Sequence, residues 1–261
     1  QGVSTPDENR YIERDPGPGT RHYRELRDEV RAIYAAKPGI TPSRAANVGQ
    51  CWVSRISAEP SVWEQAIYDR LKPLEGPLGI RAILLRHALI SINRYPGNGQ
   101  VSYADFLDLD TGRRIRIGAQ YVLDASETGK AIALSGCPWT SGQESSAAYG
   151  EPDAPPDPHP EWVQSFTYSF DVRWTPPGDT PLPIVAKPAD YDEFLSWGLY
   201  SLDYDYPPPR GIVTYKMLVQ APNTLGPFWT SRRLVAASSF KNNPEYADDI
   251  ALINWRGNDY H

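Results

Sequence analysis

The stretch Ala119–Gly136 reads AQYVLDASETGKAIALSG and holds the residues best suited to chemistry. An apolar run ends in Asp124-Ala125-Ser126, passes Gly129 and resumes as a second apolar segment. Two readings share that pattern. In the plain one a buried strand ends at a helix cap, with Asp124, Ser126 or Thr128 accepting a backbone N–H. In the functional one, small Ala125 and Ser126 let a ligand approach the main chain, Gly129 keeps the approach clear, and the first N–H groups of the next turn face an anion such as a pyrophosphate.

Other chemistry-bearing side chains are scattered. Arg55, in CWVSR, suits a substrate carboxylate or an ion pair with Glu59. The four histidines show no metal-ligand spacing, and no Ser-His-Asp or Cys-His arrangement has a recognisable context, so no catalytic residue and no metal is assigned. His22 reads as a surface residue of a helix and His87 as a half-buried residue of a strand. Trp162, Trp174, Trp197, Trp229 and Trp255 are spread over different segments, which fits core packing better than a sugar platform. Asp203 and Asp205 with Tyr204 and Tyr206 read as a solvated loop.

The elements that must position these residues follow from period and punctuation. Thr20 N-caps a helix with Tyr23, Leu26, Val30 and Ile33 on one face, stopped at Lys37-Pro38-Gly39. A second helix starts at Ser61 with Glu64 in a capping box, buries Val62, Ala66, Ile67 and Leu71, and ends at Pro73. From Ile80 branched apolar residues dominate: IRAILLR, ALISINRY, the PGNG turn, QVSYADFLDLD, RRIRIG and AQYVLDAS predict an antiparallel meander ending in a strand over 120–124. EPDAPPDPHPEW is a proline-rich strap. VQSFTYSFDVRW, GIVTYKMLVQ, RRLVAASSF and DIALINW read as later strands, and ADYDEFLSWGLYSL as a helix.

The pattern is α+β: two helices, an antiparallel β-meander and a second, mixed or antiparallel sheet, divided at residues 1–136 and 137–261. The chain's 261 residues can bury a sizeable core. A net charge of −6 with no basic patch gives a phosphate backbone little to hold, which argues against nucleic-acid binding. No apolar run is long enough to span a bilayer. The two cysteines, Cys51 and Cys137, read as free buried thiols, with one bridge as the alternative, and their scarcity leans towards a reducing compartment, with secretion as the alternative.

Several stretches together resemble the FAD-dependent oxidoreductase family: QGVSTPDENRYIE, RHYRELRDEVR, CWVSR, YVLDASETG…LSG, SGQESSAAYGEPDAP and ALINWRGNDY, in that order. The most distinctive are DAS-x-x-G and INW-x-x-NDY. The resemblance implies a partial FAD-binding-like α/β fold, FAD as cofactor and a small-molecule substrate. Asp124, Ala125, Ser126, Gly129, Gly2 and Val3 would lie near the cofactor, and Arg55, Trp255 and Asn258 near the substrate. It places QGVS after the glycine-rich loop beside the flavin and INWRGNDY before the family's last third. The chain then corresponds to the enzyme's central part, because no G-x-G-x-x-G occurs in it. A fragment, a second chain supplying the remainder, and a non-catalytic interaction protein that has lost the cofactor site are the alternatives. Lys130 departs from the family pattern, which has an acidic residue there, as do the regions of Ser146 and Asp153, where it has a basic residue and a histidine.

Overall fold

The computed structural model describes residues 20–52, 54–77, 79–80, 82–174, 184–198, 201–220, 222, 226–254 and 259–260. The helices are α1 (Arg21–Ala35), α2 (Pro42–Ala45), α3 (Pro60–Leu71), α4 (Lys130–Ser135), α5 (Ser146–Tyr149) and α6 (Tyr191–Ser196). The strands are β1 (His87–Arg94), β2 (Val101–Asp108), β3 (Arg114–Ile117), β4 (Phe166–Thr167), β5 (Phe170–Trp174), β6 (Ser201–Tyr206), β7 (Gly211–Lys216), β8 (Arg233–Val235), β9 (Asp249–Ile253) and β10 (Asp259–Tyr260). The class is α+β, and the sheets are small and antiparallel. The chain forms two compact units, residues 1–74 with 165–261, and residues 75–164. The 136/137 division expected from sequence falls inside the second of these.

In the first unit, Thr20 caps α1 as its residue type predicts, its hydroxyl accepting from the Tyr23 amide at 3.3 Å. The inward face of α1 is Arg27, Val30 and Tyr34. Helix α3 begins one residue earlier than expected, at Pro60, with Glu59 at the cap and no capping-box hydrogen bond. Proline at the first helical position loses no hydrogen bond and has its φ already set, so it displaces Ser61 as the start. Its buried side chains are Val62, Trp63 and Ala66, while Ile67 is 45% exposed. Trp63, absent from the expected stripe, is buried in its place in the core cluster. Arg70 joins α3 to α1, donating to Glu25 at 3.0 Å and Glu29 at 2.7 Å, two acids one turn apart.

These helices pack on Leu234, Val235, Phe240 and Tyr246 from the distant end of the chain. The intervening segment 47–58 is irregular yet largely buried, and side chains satisfy its backbone. Asn47 grips Cys51 through both its amide atoms, at 3.1 and 3.2 Å, and Arg233 donates to the Gly49 carbonyl at 2.7 Å and to Asp249 at 2.9 Å. Strands β5, β9 and β8 form one sheet in the order β5-β9-β8, with Ala251 fully buried at its centre. β6 and β7 form a hairpin, so 203–206 is strand rather than the expected solvated loop. Cross-strand pairs explain the change: Asp203 accepts from Thr214 at 2.5 Å and the Tyr206 and Tyr215 hydroxyls meet at 2.7 Å.

The second unit is built on β1-β2-β3 with α4 against β1. Asp108 closes the β2–β3 turn by accepting from the Asp110 and Thr111 amides and the Thr111 hydroxyl. One face carries Ser91, Asp105 and Arg116, with the Arg116 guanidinium 3.7 Å from the Tyr103 ring centroid. The Arg116 contacts, with the Ser91 hydroxyl, hold the Asp105 carboxyl below its ordinary range. Among the described residues of IRAILLR only Ile80 pairs, in an isolated bridge with Glu75, and the meander starts at His87. His87 is half-buried, as expected. Cys137 is exposed rather than buried, because it follows the end of α4; Cys51 is buried, and both thiols are free.

Candidate functional site

Beyond β3 the chain runs through 118–129 without strand pairing, so the expected strand over 120–124 does not form. Tyr121 and Val122 are exposed and Leu123 is 90% exposed. Apolar side chains on a segment with no neighbouring strand have nothing in the second unit to bury them. The turn that follows is closed by Asp124. One carboxylate oxygen accepts from the Ser126 amide at 2.9 Å and the Ser126 hydroxyl at 2.7 Å. The other accepts from the amides of Ala131 and Ile132, at 2.8 and 3.3 Å, in the first turn of α4. The Ser126 hydroxyl and then these amides hold the Asp124 carboxyl below the usual carboxylate range.

Gly129 precedes α4 in the left-handed region at φ 59°, which favours glycine. Gly136 ends α4 at φ 70°. Arg94 binds the far end of the helix, donating to the Ser135 and Gly136 carbonyls at 3.4 and 3.3 Å, and to Gly99 at 2.6 Å. The six-residue helix is thus held by an acid at its start and a base at its end. Arg94 escaped the sequence reading, since an arginine before a PGNG turn carries no signal of the helix it will cap.

Of the residues singled out by sequence, Asp124, Ser126 and Gly129 come together here, and Ala125 is exposed between them. Two of the N–H groups at the start of α4, those of Ala131 and Ile132, donate to the chain's own carboxylate. Arg55 lies in the first unit, exposed on a turn. It does not pair with Glu59, whose carboxylate instead accepts from the Tyr34 hydroxyl at 3.0 Å. Gly2, Val3, Trp255 and Asn258 lie outside the described residues. Among the described residues no group of His, Cys, Asp and Glu could hold a metal ion. No helix among them is long and apolar enough to cross a membrane.

A family model described as FAD dependent oxidoreductase matches residues 1–261, the whole chain. The chain belongs to the FAD dependent oxidoreductase family. No curated protein and no solved structure matches it. Within this FAD dependent oxidoreductase, the Ser126 amide and hydroxyl and the Ala131 and Ile132 amides already donate to Asp124. What they leave open is the exposed run Tyr121–Leu123 and the small residues Ala125 and Ser126.

Proposed function

We propose that this chain is the central, substrate-side part of a flavin-dependent oxidoreductase that uses FAD on a small-molecule substrate. The observation that carries the reading is the family match over all 261 residues. Bound FAD would supply the redox chemistry, leaving orientation, electrostatics and water exclusion to the protein. Asp124 acts here as a positioning residue: it fixes the turn and α4, and so the path of 121–126. Tyr121, Val122 and Leu123 offer an apolar flank to the rest of the nucleotide-binding domain, and Ala125 and Ser126 permit close approach of the cofactor. Gly2 and Val3 beside the flavin, and Trp255 and Asn258 near the substrate, belong to the proposal through their place in the family's motifs. Arg55, exposed on its turn, is proposed to meet a substrate anion. The glycine-rich dinucleotide segment comes from sequence outside these residues, in the same polypeptide or a second chain.

A second reading, a non-catalytic interaction protein derived from the fold, draws support from the engaged N-terminus of α4. One experiment separates the two. The purified protein, together with any co-purifying chain, is incubated with FAD, desalted and scanned for flavin absorbance. Retained flavin bands, lost on Leu123→Lys, are expected of the enzyme. A protein that retains no flavin under these conditions is the interaction protein.

A further inference from the structure

We propose that Trp52, Tyr215, Tyr206 and Tyr204 form a relay that carries one-electron oxidising equivalents from the half-buried Trp52, through the buried Tyr215, to the exposed Tyr204 of the first unit. The residues make an unbroken series of contacts. The Trp52 indole lies 6.0 Å from the Tyr215 ring, centroid to centroid, at an interplanar angle of 23°. The Tyr215 hydroxyl meets that of Tyr206 at 2.7 Å, and the Tyr206 ring lies 4.6 Å from the Tyr204 ring. Trp52 is half-buried, and beyond it burial falls from Tyr215, 3% exposed, through the half-buried Tyr206 to Tyr204, 52% exposed. The strand period produces this arrangement, since Tyr204 and Tyr206 are two residues apart on one face of β6 and the β7 register sets Tyr215 opposite Leu202 on the same face.

Packing alone would account for rings in contact. It does not require that the partner of a buried phenol be a second phenol, when a backbone carbonyl would satisfy the same hydroxyl. A phenol–phenol hydrogen bond joins two oxidisable groups, with the Arg210 guanidinium 4.0 Å from the centroid of the half-buried Tyr206 ring, and a phenol that loses an electron releases its proton.

The step balances as follows. A hydroxyl-class oxygen radical takes one electron from Trp52. An electron from Tyr206 passes through Tyr215 to refill the indole, and the Tyr206 hydroxyl proton goes to water. The radical, having gained an electron and a proton, becomes water, and a neutral tyrosyl radical remains on Tyr206. Hydrogen exchange with Tyr204 then brings it to the surface, within reach of a thiol-class reductant.

The test uses the full chain and a photochemically generated tris(bipyridyl)ruthenium(III) oxidant, so it runs without flavin. Its failure leaves the flavin reading standing, and a failure to bind flavin leaves the relay standing. Oxidation at Trp52, Tyr204 and Tyr206 is measured by peptide mass spectrometry, and tyrosyl radical by electron paramagnetic resonance. Tyr206→Phe is expected to raise oxidation at Trp52 several-fold and to lower the tyrosyl signal. Tyr149→Phe, an exposed tyrosine of the other unit, is expected to change neither. If Tyr206→Phe loses the fold, Tyr204→Phe, at an exposed position, is read instead, and modification is expected to move inward to Trp52. Equal oxidation of Trp52 in wild type and in the folded variant overturns the proposal.

Discussion

Tyr34 offers a quantitative test of how the first unit is held together. Its ring is 1% exposed, and its hydroxyl both donates to a Glu59 carboxylate oxygen and accepts from the Glu59 amide, each at 3.0 Å. Burial, and then the charge of Glu59, push the phenol far above its ordinary value. The folded phenol therefore keeps its proton where an unfolded tyrosine, titrating near pH 10, loses it. Stability from this group is fully present below about pH 10 and is lost as pH rises above it, at about 1.4 kcal/mol per pH unit. From pH 10 to 12 the loss is roughly 3 kcal/mol. Tyr34→Phe removes the titration and also both hydrogen bonds, leaving a part-buried amide and carboxylate without that partner at a cost of about 1–3 kcal/mol near pH 8. Urea denaturation followed by tryptophan fluorescence, at steps from pH 8 to 12, gives the gap between wild type and variant. Tyr246 is pushed up as well, chiefly by burial, but it titrates in both proteins and leaves the gap unaffected to first order. The gap should be widest at pH 8 and close by pH 12. A gap that stays constant across that range refutes the placement of this proton.

Three further outcomes follow from the packing and the hydrogen bonds. Asp124→Ala should speed hydrogen exchange at the Ala131 and Ile132 amides; because the carboxyl is held below its ordinary value, wild-type protection should be present above about pH 3.9 and fade as pH falls further. Gly49→Ala drives a methyl group into the Arg233 carbonyl and should leave no folded first unit on circular dichroism, whereas Gly97→Ala, with open space but φ 88°, should cost only about 1–2 kcal/mol of strain. Leu234→Ala empties a fully buried site packed between helices and sheet and should lower stability by about 2–5 kcal/mol in urea titration.

Local chemistry made part of this molecule readable. Thr20 before an amphipathic run predicts a capped helix, and the PGNG and Asp110-Thr111-Gly112 turns predict the β1-β2-β3 meander; all of these form. Each is settled within a few residues. Failures came where distant partners decide. IRAILLR has strand composition, yet among its described residues only Ile80 finds a partner, Glu75. DYDY looks like a solvated loop until Gly211–Thr214 of β7 stand opposite it, and Ile67 is exposed although its spacing points it inward. Gly49 appears in sequence as an unremarked glycine, although the Arg233 backbone passes against it from far along the chain.

The DAS-x-x-G turn shows how one pattern supports both of its readings. A ligand cradle and a self-closed cap need the same parts: an apolar run, small residues, a glycine with φ above zero and free amides at a helix start. The deciding quantity is where the nearest negative charge lies. Asp124 sits in the sequence seven and eight residues before Ala131 and Ile132, and a tight turn through Ser126 brings its carboxylate back onto their amides. An external phosphate would have to displace a tethered anion already present at high effective concentration. If the cofactor meets this chain at the turn, it does so through the exposed surface of Ala125 and Ser126 and the flank of Tyr121–Leu123. The sharpest discriminator is therefore a substitution at Leu123, which makes no contribution to the cap. Leu123→Lys should leave α4 protected from exchange while removing retained flavin, and a loss of both together would mean that the flank and the cap form one structural element.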